Sequence, residues 1–190
     1  MHNTVELNTK RLYLRKLKKA DYKVIFDNWA SNYEVSKYVT WTQHKSNIET
    51  KGFVDDWIKE YENEFTYRWI VIIKETDEII GMIDVIDKNI QYMTVEVGFC
   101  YSPKYWGQGY ASEALEKVID FLHSEGFVTV YAQHFISNIA SGKVMQKAGM
   151  VYEGTLKSRV IDKLGKREDV CIYSSVKTVT GKTYKSDKNN

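Results

Sequence analysis

Two glycines one residue apart, Gly107 and Gly109, stand between an apolar strand-like run and a helix-like segment in the stretch PKYWGQGYASEAL (residues 103–115). A turn of this kind at a helix N-terminus leaves backbone N–H groups pointing outward at the positive end of the helix dipole. Such a turn binds anions, most often phosphate, and a missing Cβ lets the ligand approach the backbone. The spacing therefore predicts a phosphate-binding loop; the alternative is a tight turn that caps the helix without a ligand.

Two better-known phosphate motifs fail on single positions. A dinucleotide-binding GxGxxG motif ends in Gly or Ala, whereas Ser112 stands there. The GKT at residues 181–183 lacks the glycine that a P-loop carries five positions earlier, where Val176 stands. The four histidines do not have metal-ligand spacing, so no metal site is predicted.

The elements that must position this loop follow from hydrophobic periodicity. Apolar residues alternate with polar ones, or run together, in segments that predict strands. The predicted strands are 11–17, 69–74, 79–87, 94–102, 128–135 and two strands around the turn 162–168. Pro103, the only proline, lacks an N–H and is predicted to end the strand before the loop.

Helical spacing of apolar residues predicts the remaining elements. One helix follows the loop, with its apolar positions between Ala111 and Leu122 and a stop at Gly126. A shorter helix over 138–148 ends at Gly149. Near the N-terminus we predict a helix over 21–30 and another after the capping box at 46–49; the apolar stripe of the second is Ile48, Phe53, Trp57, Ile58 and Tyr61.

Composition limits the class of protein. The 190 residues are 43% hydrophobic, which suits one domain, and 27 basic and 25 acidic residues are interspersed, so nothing calls for nucleic acid as a partner. No run approaches the roughly 20 apolar residues of a membrane span. We expect a cytoplasmic protein without a membrane partner. Cys100 and Cys171 lie in strand-like runs and are expected to be buried thiols.

The loop and its surroundings resemble the GNAT superfamily of acyl-CoA-dependent N-acyltransferases, whose pyrophosphate loop is written Q/RxxGxG/A. Lys104, Gly107 and Gly109 fall on its three defined positions, with Lys in place of Gln or Arg. YWGQGYASEAL looks most like the branch that contains ribosomal-protein N-terminal acetyltransferases and spermidine acetyltransferases. EVGFCY, NIAS, KAGM and YEG follow the family order, and the resemblance spans residues 11–175.

The resemblance implies a fold of the α/β (mixed α+β) class. It would be a single GNAT-type domain over 1–176, with a central, mixed, mostly antiparallel sheet splayed between two parallel strands and flanked by helices. A polar C-terminal tail would cover 177–190. Family members bind acetyl-CoA in the splay, here between residues 95–101 and 128–134.

The resemblance also implies which residues bind the cofactor. Backbone groups near the end of the strand before the loop would pair with pantetheine, and an NxxS motif after the next strand would reach its sulfur. The predicted cofactor-binding residues are Phe99, Tyr101, Lys104, Trp106, Gly107, Gln108, Gly109, Tyr110, Ala111, Ser112, Asn138 and Ser141. Asn138 is alternatively a helix cap, and Ser141 a small packing residue. Glu113, awkward beside a phosphate, is interpreted as structural.

Two residues are predicted to be catalytic. Glu96 matches the carboxylate that family members use to deprotonate the amine, and its partial burial would raise its pKa; alternatively, it pairs with a basic neighbour. Many members carry a tyrosine acid where Met145 stands. Ser141 is therefore assigned the general-acid role, and the backbone near Gly98 would meet the oxyanion.

These assignments predict direct acetyl transfer to a primary amine: a protein N-terminus, a polyamine or another small amine. The alternatives are a non-catalytic CoA-binding module and a phosphate-binding regulatory domain. The N-terminal aromatic residues are expected to lie mainly in the core, and exposed edge strands allow a homodimer. These aromatic residues are Trp29, Tyr33, Tyr38, Trp41 and Trp69.

Overall fold

A computed structural model describes residues 3–177 of the protein. In this range the strands are β1 (Leu7–Asn8), β2 (Leu12–Arg15), β3 (Arg68–Ile73), β4 (Ile79–Asn89), β5 (Thr94–Tyr101), β6 (Thr129–Phe135), β7 (Val151–Ile161) and β8 (Arg167–Val176). The α-helices are α1 (Tyr22–Ile25), α2 (Tyr33–Ser36), α3 (Asn47–Glu60), α4 (Tyr110–Ser124) and α5 (Ile139–Lys147). β1 and α2 were not predicted from the sequence, since each is too short to show a period.

The strands form one mixed sheet in the order β1-β2-β3-β4-β5-β6-β8-β7. β5 and β6 pair in parallel, whereas the pairs β1–β2, β2–β3, β3–β4, β6–β8 and β7–β8 are antiparallel. The predicted class, a mixed α/β domain with a mostly antiparallel sheet flanked by helices, is confirmed. Residue contacts divide the chain into two compact units. The first consists of residues up to Val85 and Phe99–Lys117, and the second of Ile86–Gly98 and the chain from Val118 onward.

The first unit has an aromatic-rich core. Leu12 and Leu14 of β2 are fully buried while the residues between and after them are only partly buried, as period-two alternation requires. Trp29 and Trp69 are also buried, as expected, but Tyr33 is 58% exposed. On α3 the predicted apolar stripe is wrong at its first two residues, because Ile48 is 76% and Phe53 41% exposed.

The predicted helix over 21–30 is three short helical segments. A 3₁₀ turn over Lys19–Asp21 leads into α1, and a π-helical turn over Phe26–Ala30 follows. The Ser31 amide donates to Phe26 O at 3.1 Å, five residues back. Periodicity alone predicts helix here but does not distinguish the three hydrogen-bond patterns, which differ by one residue in span. The predicted cap of α3 is confirmed, because Ser46 Oγ accepts from the Glu49 amide at 3.3 Å.

The second unit contains the parallel pair of strands. β5 and β6 pair over Thr94–Glu96 and Thr129–Tyr131, the first three residues of each strand. The Lys177 amide, at the end of the described residues, donates to Val128 O at 2.8 Å. The rest of the polar tail predicted over 177–190 and the GKT at 181–183 lie outside the described residues. The domain boundary at 176 stays a prediction.

Three further expectations concern membranes, metals and thiols. Among residues 3–177, no helix combines the length and apolarity that crossing a bilayer requires. The same residues contain no group of three or more His, Cys, Asp or Glu arranged to hold a metal ion. Cys100 is a buried free thiol whose pKa is raised by burial, but Cys171 is only partly buried, contrary to the prediction.

Candidate active site

The loop predicted to bind phosphate follows β5 in the first unit. β5 ends at Tyr101, and Pro103 is the first residue of a 3₁₀ turn, Pro103–Tyr105. Proline suits this position because its φ angle is already helical and its missing N–H has no partner to lose. The predicted strand end is confirmed. The chain then reaches the two glycines immediately before α4.

Both glycines adopt left-handed backbone conformations, with φ of +76° at Gly107 and +81° at Gly109. The Glu113 amide donates to Gly109 O at 3.1 Å, which is the first bond of the α4 ladder. The amides of Tyr110, Ala111 and Ser112 therefore precede that ladder, where helices leave N–H groups for external partners. This is the backbone arrangement that binds anions.

Two loop side chains bind the loop's own backbone. Trp106 Nε1 donates to Tyr101 O at 2.8 Å, although the tryptophan is 50% exposed, and Gln108 Nε2 donates to Lys104 O at 2.9 Å. Both residues were predicted to bind the cofactor. Their hydrogen bonds define the shape of the loop, so any cofactor contact would be additional to this structural role.

Lys104, the first position of the family's loop motif, is paired with another residue. Its Nζ lies 2.8 Å from Glu78 Oε1, and this hydrogen bond raises the pKa of Lys104. Both side chains are largely exposed. The lysine is therefore shared with a carboxylate. The guanidinium of Arg11, a residue that the sequence placed only in a strand, lies beside the loop instead.

The side chain of Tyr101 is not available to a ligand. Tyr101 is buried, and burial raises its pKa well above the ordinary value. Its ring lies across Gly81, where an added Cβ would be 2.4 Å from Tyr101 Cδ1. The predicted role of Tyr101 therefore depends on its backbone, and its carbonyl already accepts from Trp106. Phe99, also predicted to act through its backbone, lies in β5 two residues earlier and is partly buried.

Glu96 lies in the second unit at the end of the parallel register, opposite Tyr131. It is 8% exposed, and Gln133 Nε2 donates to its Oε1 at 2.8 Å. Burial raises the pKa of Glu96, while hydrogen bonds from Gln133 and Tyr131 act in the opposite direction and the charge of Asp87 adds to the rise. The carboxyl group is thus held in place and shifted toward the range of a general base. Sequence reasoning missed Tyr131 and Gln133.

Asn138 and Ser141 lie together at the start of α5. Asn138 Oδ1 accepts from the Ser141 amide at 3.4 Å, so the helix-cap interpretation of Asn138 is correct. Ser141 is partly buried in the first turn. Met145, where many family members carry a tyrosine, is 1% exposed and belongs to the core. The acid role of Ser141 stays a prediction.

His134 of β6 packs against Gly142 of α5. A Cβ at Gly142 would lie 2.7 Å from His134 Nε2, so the close approach of α5 to β6 requires glycine. His134 Nδ1 is 2.8 Å from Phe135 O, and the ring stacks on Tyr173 with 5.6 Å between centroids. Within residues 3–177, the buried Nε2 atom has no hydrogen-bond partner.

Comparison with known proteins identifies the family of the chain. The model of the acetyltransferase (GNAT) domain family matches residues 11–151. The chain belongs to the GNAT acetyltransferase family. The Bacillus subtilis (strain 168) protein named uncharacterized N-acetyltransferase YoaA is 30% identical over 172 residues, which are 90% of this chain and 96% of that one. This GNAT protein is accordingly an N-acetyltransferase, and the predicted enzyme class is confirmed.

Solved structures agree on the GNAT fold. A GNAT-family acetyltransferase from Bacillus anthracis superposes with a TM-score of 0.79 at 24% identity, over 90% of this chain and 98% of that one. RimL, a ribosomal L7/L12 α-N-protein acetyltransferase solved with coenzyme A, gives a TM-score of 0.80 at 18% identity, over 90% and 98% of the two chains. These similarities concern the fold. Donor, acceptor and site residues require separate argument.

Proposed function

We propose that this GNAT N-acetyltransferase takes its acetyl group from acetyl-CoA and transfers it directly to a primary amine. The observation that supports the donor most strongly is the pair of left-handed glycines immediately before the α4 hydrogen-bond ladder. Amides at this position suit a diphosphate. Under the proposal, Gly107 to Ser112 hold the diphosphate, and backbone groups near Phe99 hold the pantetheine. When bound, acetyl-CoA supplies an acetyl thioester activated for acyl transfer.

Under the proposal, residues of the second unit accept and donate the protons of the reaction. The amine must lose a proton to become a nucleophile, and Glu96 is assigned as its acceptor because it is buried, oriented by Gln133 and raised in pKa. Ser141 is assigned to donate a proton, or a hydrogen bond, to the departing sulfur. Backbone amides near Gly98 would stabilise the oxyanion. No covalent enzyme intermediate is needed, so neither cysteine takes part.

A non-catalytic CoA-binding module is the alternative. One observation favours it: position 145, where many family members have a tyrosine, is filled by a methionine that is 1% exposed. The two functions share the donor site and differ only in chemistry. A phosphate-binding regulatory domain would differ in ligand as well, since it would bind phosphate without the pantetheine arm.

The test has two stages. The first stage is isothermal titration of the protein with acetyl-CoA, CoA and inorganic phosphate. Binding of phosphate without binding of acetyl-CoA or CoA would overturn the proposal that acetyl-CoA is the donor. Thiol release is then followed with a panel of polyamines, small amines and protein N-terminal peptides. The peptides are included because RimL is described as acting on a ribosomal protein N-terminus. CoA binding without thiol release across the panel would support the module instead.

The acceptor and the oligomeric state are the finer parts of the proposal. A primary amine is the acceptor class, and the panel identifies the member. We also propose a homodimer, since β1 and β7 are the edge strands of the sheet. Light scattering coupled to size-exclusion chromatography measures the dimer directly, and a monomeric mass at all concentrations would remove it.

A further inference from the structure

Arg11, far from the loop in sequence, is fixed beside it by three contacts in the first unit. Its Nε donates to Glu113 Oε2 at 2.6 Å, and its Nη1 donates to Gln108 O at 3.1 Å. Its guanidinium lies over the Tyr110 ring, 4.3 Å from the centroid. A guanidinium held by a carboxylate, a carbonyl and an aromatic face has little rotational freedom left. The side chain is nevertheless 41% exposed, so it is accessible from solvent.

Glu113 is the residue that orients this arginine. Its Oε1 accepts from the Thr9 hydroxyl at 2.6 Å and from the Arg11 amide at 2.9 Å, while Oε2 takes the guanidinium. Burial would raise the pKa of Glu113, but these hydrogen bonds outweigh it and the pKa is lowered. The carboxylate therefore stays ionised and is neutralised locally. This explains how a carboxylate can stand beside a loop that is proposed to bind a diphosphate.

The exposed end of the guanidinium faces the glycine loop. Arg11 Nη2 lies 3.5 Å from the point where a Cβ at Gly109 would be. Lys104, the cation at the first position of the family motif, is paired with Glu78. Arg11 thus brings a fixed positive charge to the same loop whose amides suit a diphosphate.

We propose that Arg11 is a phosphate-binding residue of this loop, contacting the donor's diphosphate through its outer guanidinium nitrogen, and that Glu113 is its positioning residue. The inference rests on the proposed function, because it takes a CoA diphosphate as the ligand. The outer nitrogen, Nη2, carries N–H groups that can donate to phosphate oxygens, and the held, planar guanidinium fixes their direction, which a flexible ammonium group does not do. In this chain, therefore, Arg11, the residue immediately before β2, compensates for the lysine that replaces the family's Gln or Arg at position 104.

The first experiment replaces Arg11 and titrates the purified full-length chain with CoA and, separately, with pantetheine. Arg11→Met keeps the aliphatic stem and removes the charge, so CoA affinity should fall about tenfold to hundredfold, the usual effect of a lost charged hydrogen bond. Affinity for pantetheine, which has no phosphate, should stay unchanged. The CoA affinity of Arg11→Lys should lie between those of the wild type and Arg11→Met. Lys10→Met, an exposed neighbouring charge, is the matched control and should bind CoA as the wild type does.

The second experiment uses Glu113→Gln, which separates two opposite expectations. If Glu113 acted only as a negative charge near the phosphates, its neutralisation would tighten CoA binding. If Glu113 orients Arg11, the loss of the carboxylate weakens CoA binding by a factor of several, and in the Arg11→Met background it has little further effect. Circular dichroism checks that both variants are folded.

The outcomes distinguish this inference from the proposed function. Wild-type protein that fails to bind CoA overturns the proposed function. Wild-type protein that binds CoA, together with an Arg11→Met variant of equal affinity or a Glu113→Gln variant of higher affinity, overturns the inference and leaves the function standing. A parallel loss of CoA and pantetheine binding in folded Arg11→Met also overturns it, since that would indicate a general structural role.

Discussion

The Gln133 amide donates to Glu96 Oε1 at 2.8 Å across the parallel strands β5 and β6, two residues beyond the Tyr131 that stands opposite Glu96. One partner is buried and the other exposed, so the hydrogen bond connects the carboxyl group to a side chain that solvent reaches. This bond favours the ionised carboxylate, whereas burial favours the protonated form. The pKa of Glu96 therefore depends on two opposing effects, burial and the hydrogen bond from Gln133.

Gln133→Met tests that balance. Methionine has nearly the volume of glutamine but has no N–H to donate, so the pKa of Glu96 should rise further. Because Glu96 must be ionised to accept a proton, the acidic limb of the pH profile of kcat/KM should move to higher pH. Gln146→Met is the control, since Gln146 contacts Tyr173 rather than Glu96. An acidic limb at the same pH in Gln133→Met and wild type would contradict the role of Gln133.

Glu96→Gln separates a catalytic from a structural carboxylate. As a general base, Glu96 should contribute about 10²- to 10⁴-fold to the rate, measured by thiol release with saturating acetyl-CoA. Its folded pKa is raised above 4.5, so its ionised form destabilises the fold at neutral pH. Glu96→Gln should consequently unfold at an equal or higher temperature at pH 7, and this difference should vanish below pH 4.5.

The structural alternative for Glu96 predicts the reverse pattern. If the carboxylate mainly paired with a basic neighbour, its replacement would lower the unfolding temperature at pH 7 and leave the rate nearly intact. Titration of CoA into Glu96→Gln provides the control, since the donor site lies on other residues and affinity should be preserved.

The parts of the site that sequence predicted are those with local signals. Two glycines, a proline and a helical period lie within about 20 residues, so the loop and α4 followed from spacing alone. Arg11 was missed because its contact with Glu113 spans 102 residues. Gln133 was missed for a similar reason: its bond to Glu96 depends on the register of two strands 37 residues apart. The periodicity of apolar residues predicts neither the register of two strands nor contacts between residues that are distant in sequence.

The fold shows the same division. Strand alternation in β2 and the Ser46 cap of α3 were predicted correctly, because each depends on neighbours two to four residues away. The exposure of Ile48 was not, because which apolar positions of a helix face the core depends on the helix's orientation in the tertiary structure. The position of Tyr101 over Gly81 likewise depends on how two strands pack.

Gly109→Glu should abolish CoA binding. The glutamate adds bulk and negative charge where the diphosphate is proposed to bind, and its Cβ would start 3.5 Å from Arg11 Nη2. A non-glycine residue at φ +81° is also strained, which by itself costs about 1 kcal/mol of folding free energy. Gly165→Glu is the matched control, since Gly165 has the same φ of +81° in the turn between β7 and β8. Titration calorimetry should find CoA binding in the control alone; equal affinities would mean that the loop has been misassigned.

Gly142→Ala should destabilise the protein although alanine favours helices. The new Cβ would lie 2.7 Å from His134 Nε2, and His134 has little room to move because Phe135 O and the Tyr173 ring hold it. Overpacking of this kind costs about 1–3 kcal/mol, more than the helix propensity returns. Chemical denaturation should report the loss as a lower midpoint at unchanged slope.

Gly52→Ala is the matched control for Gly142→Ala, because the two glycine-to-alanine changes are expected to alter the free energy of unfolding in opposite directions. Gly52 lies inside α3, and apart from its chain neighbours and the nearby backbone of that helix no atom lies within 4 Å of an added Cβ, so alanine there should stabilise by about 0.5–1 kcal/mol through helix propensity. The double variant Gly142→Ala with His134→Ala should recover part of the loss, because the clashing ring is gone. If Gly142→Ala instead stabilised the protein as Gly52→Ala does, α5 would lie farther from His134 of β6 than the 2.7 Å distance indicates. The positions assigned to Asn138 and Ser141 at the start of α5 would then change as well.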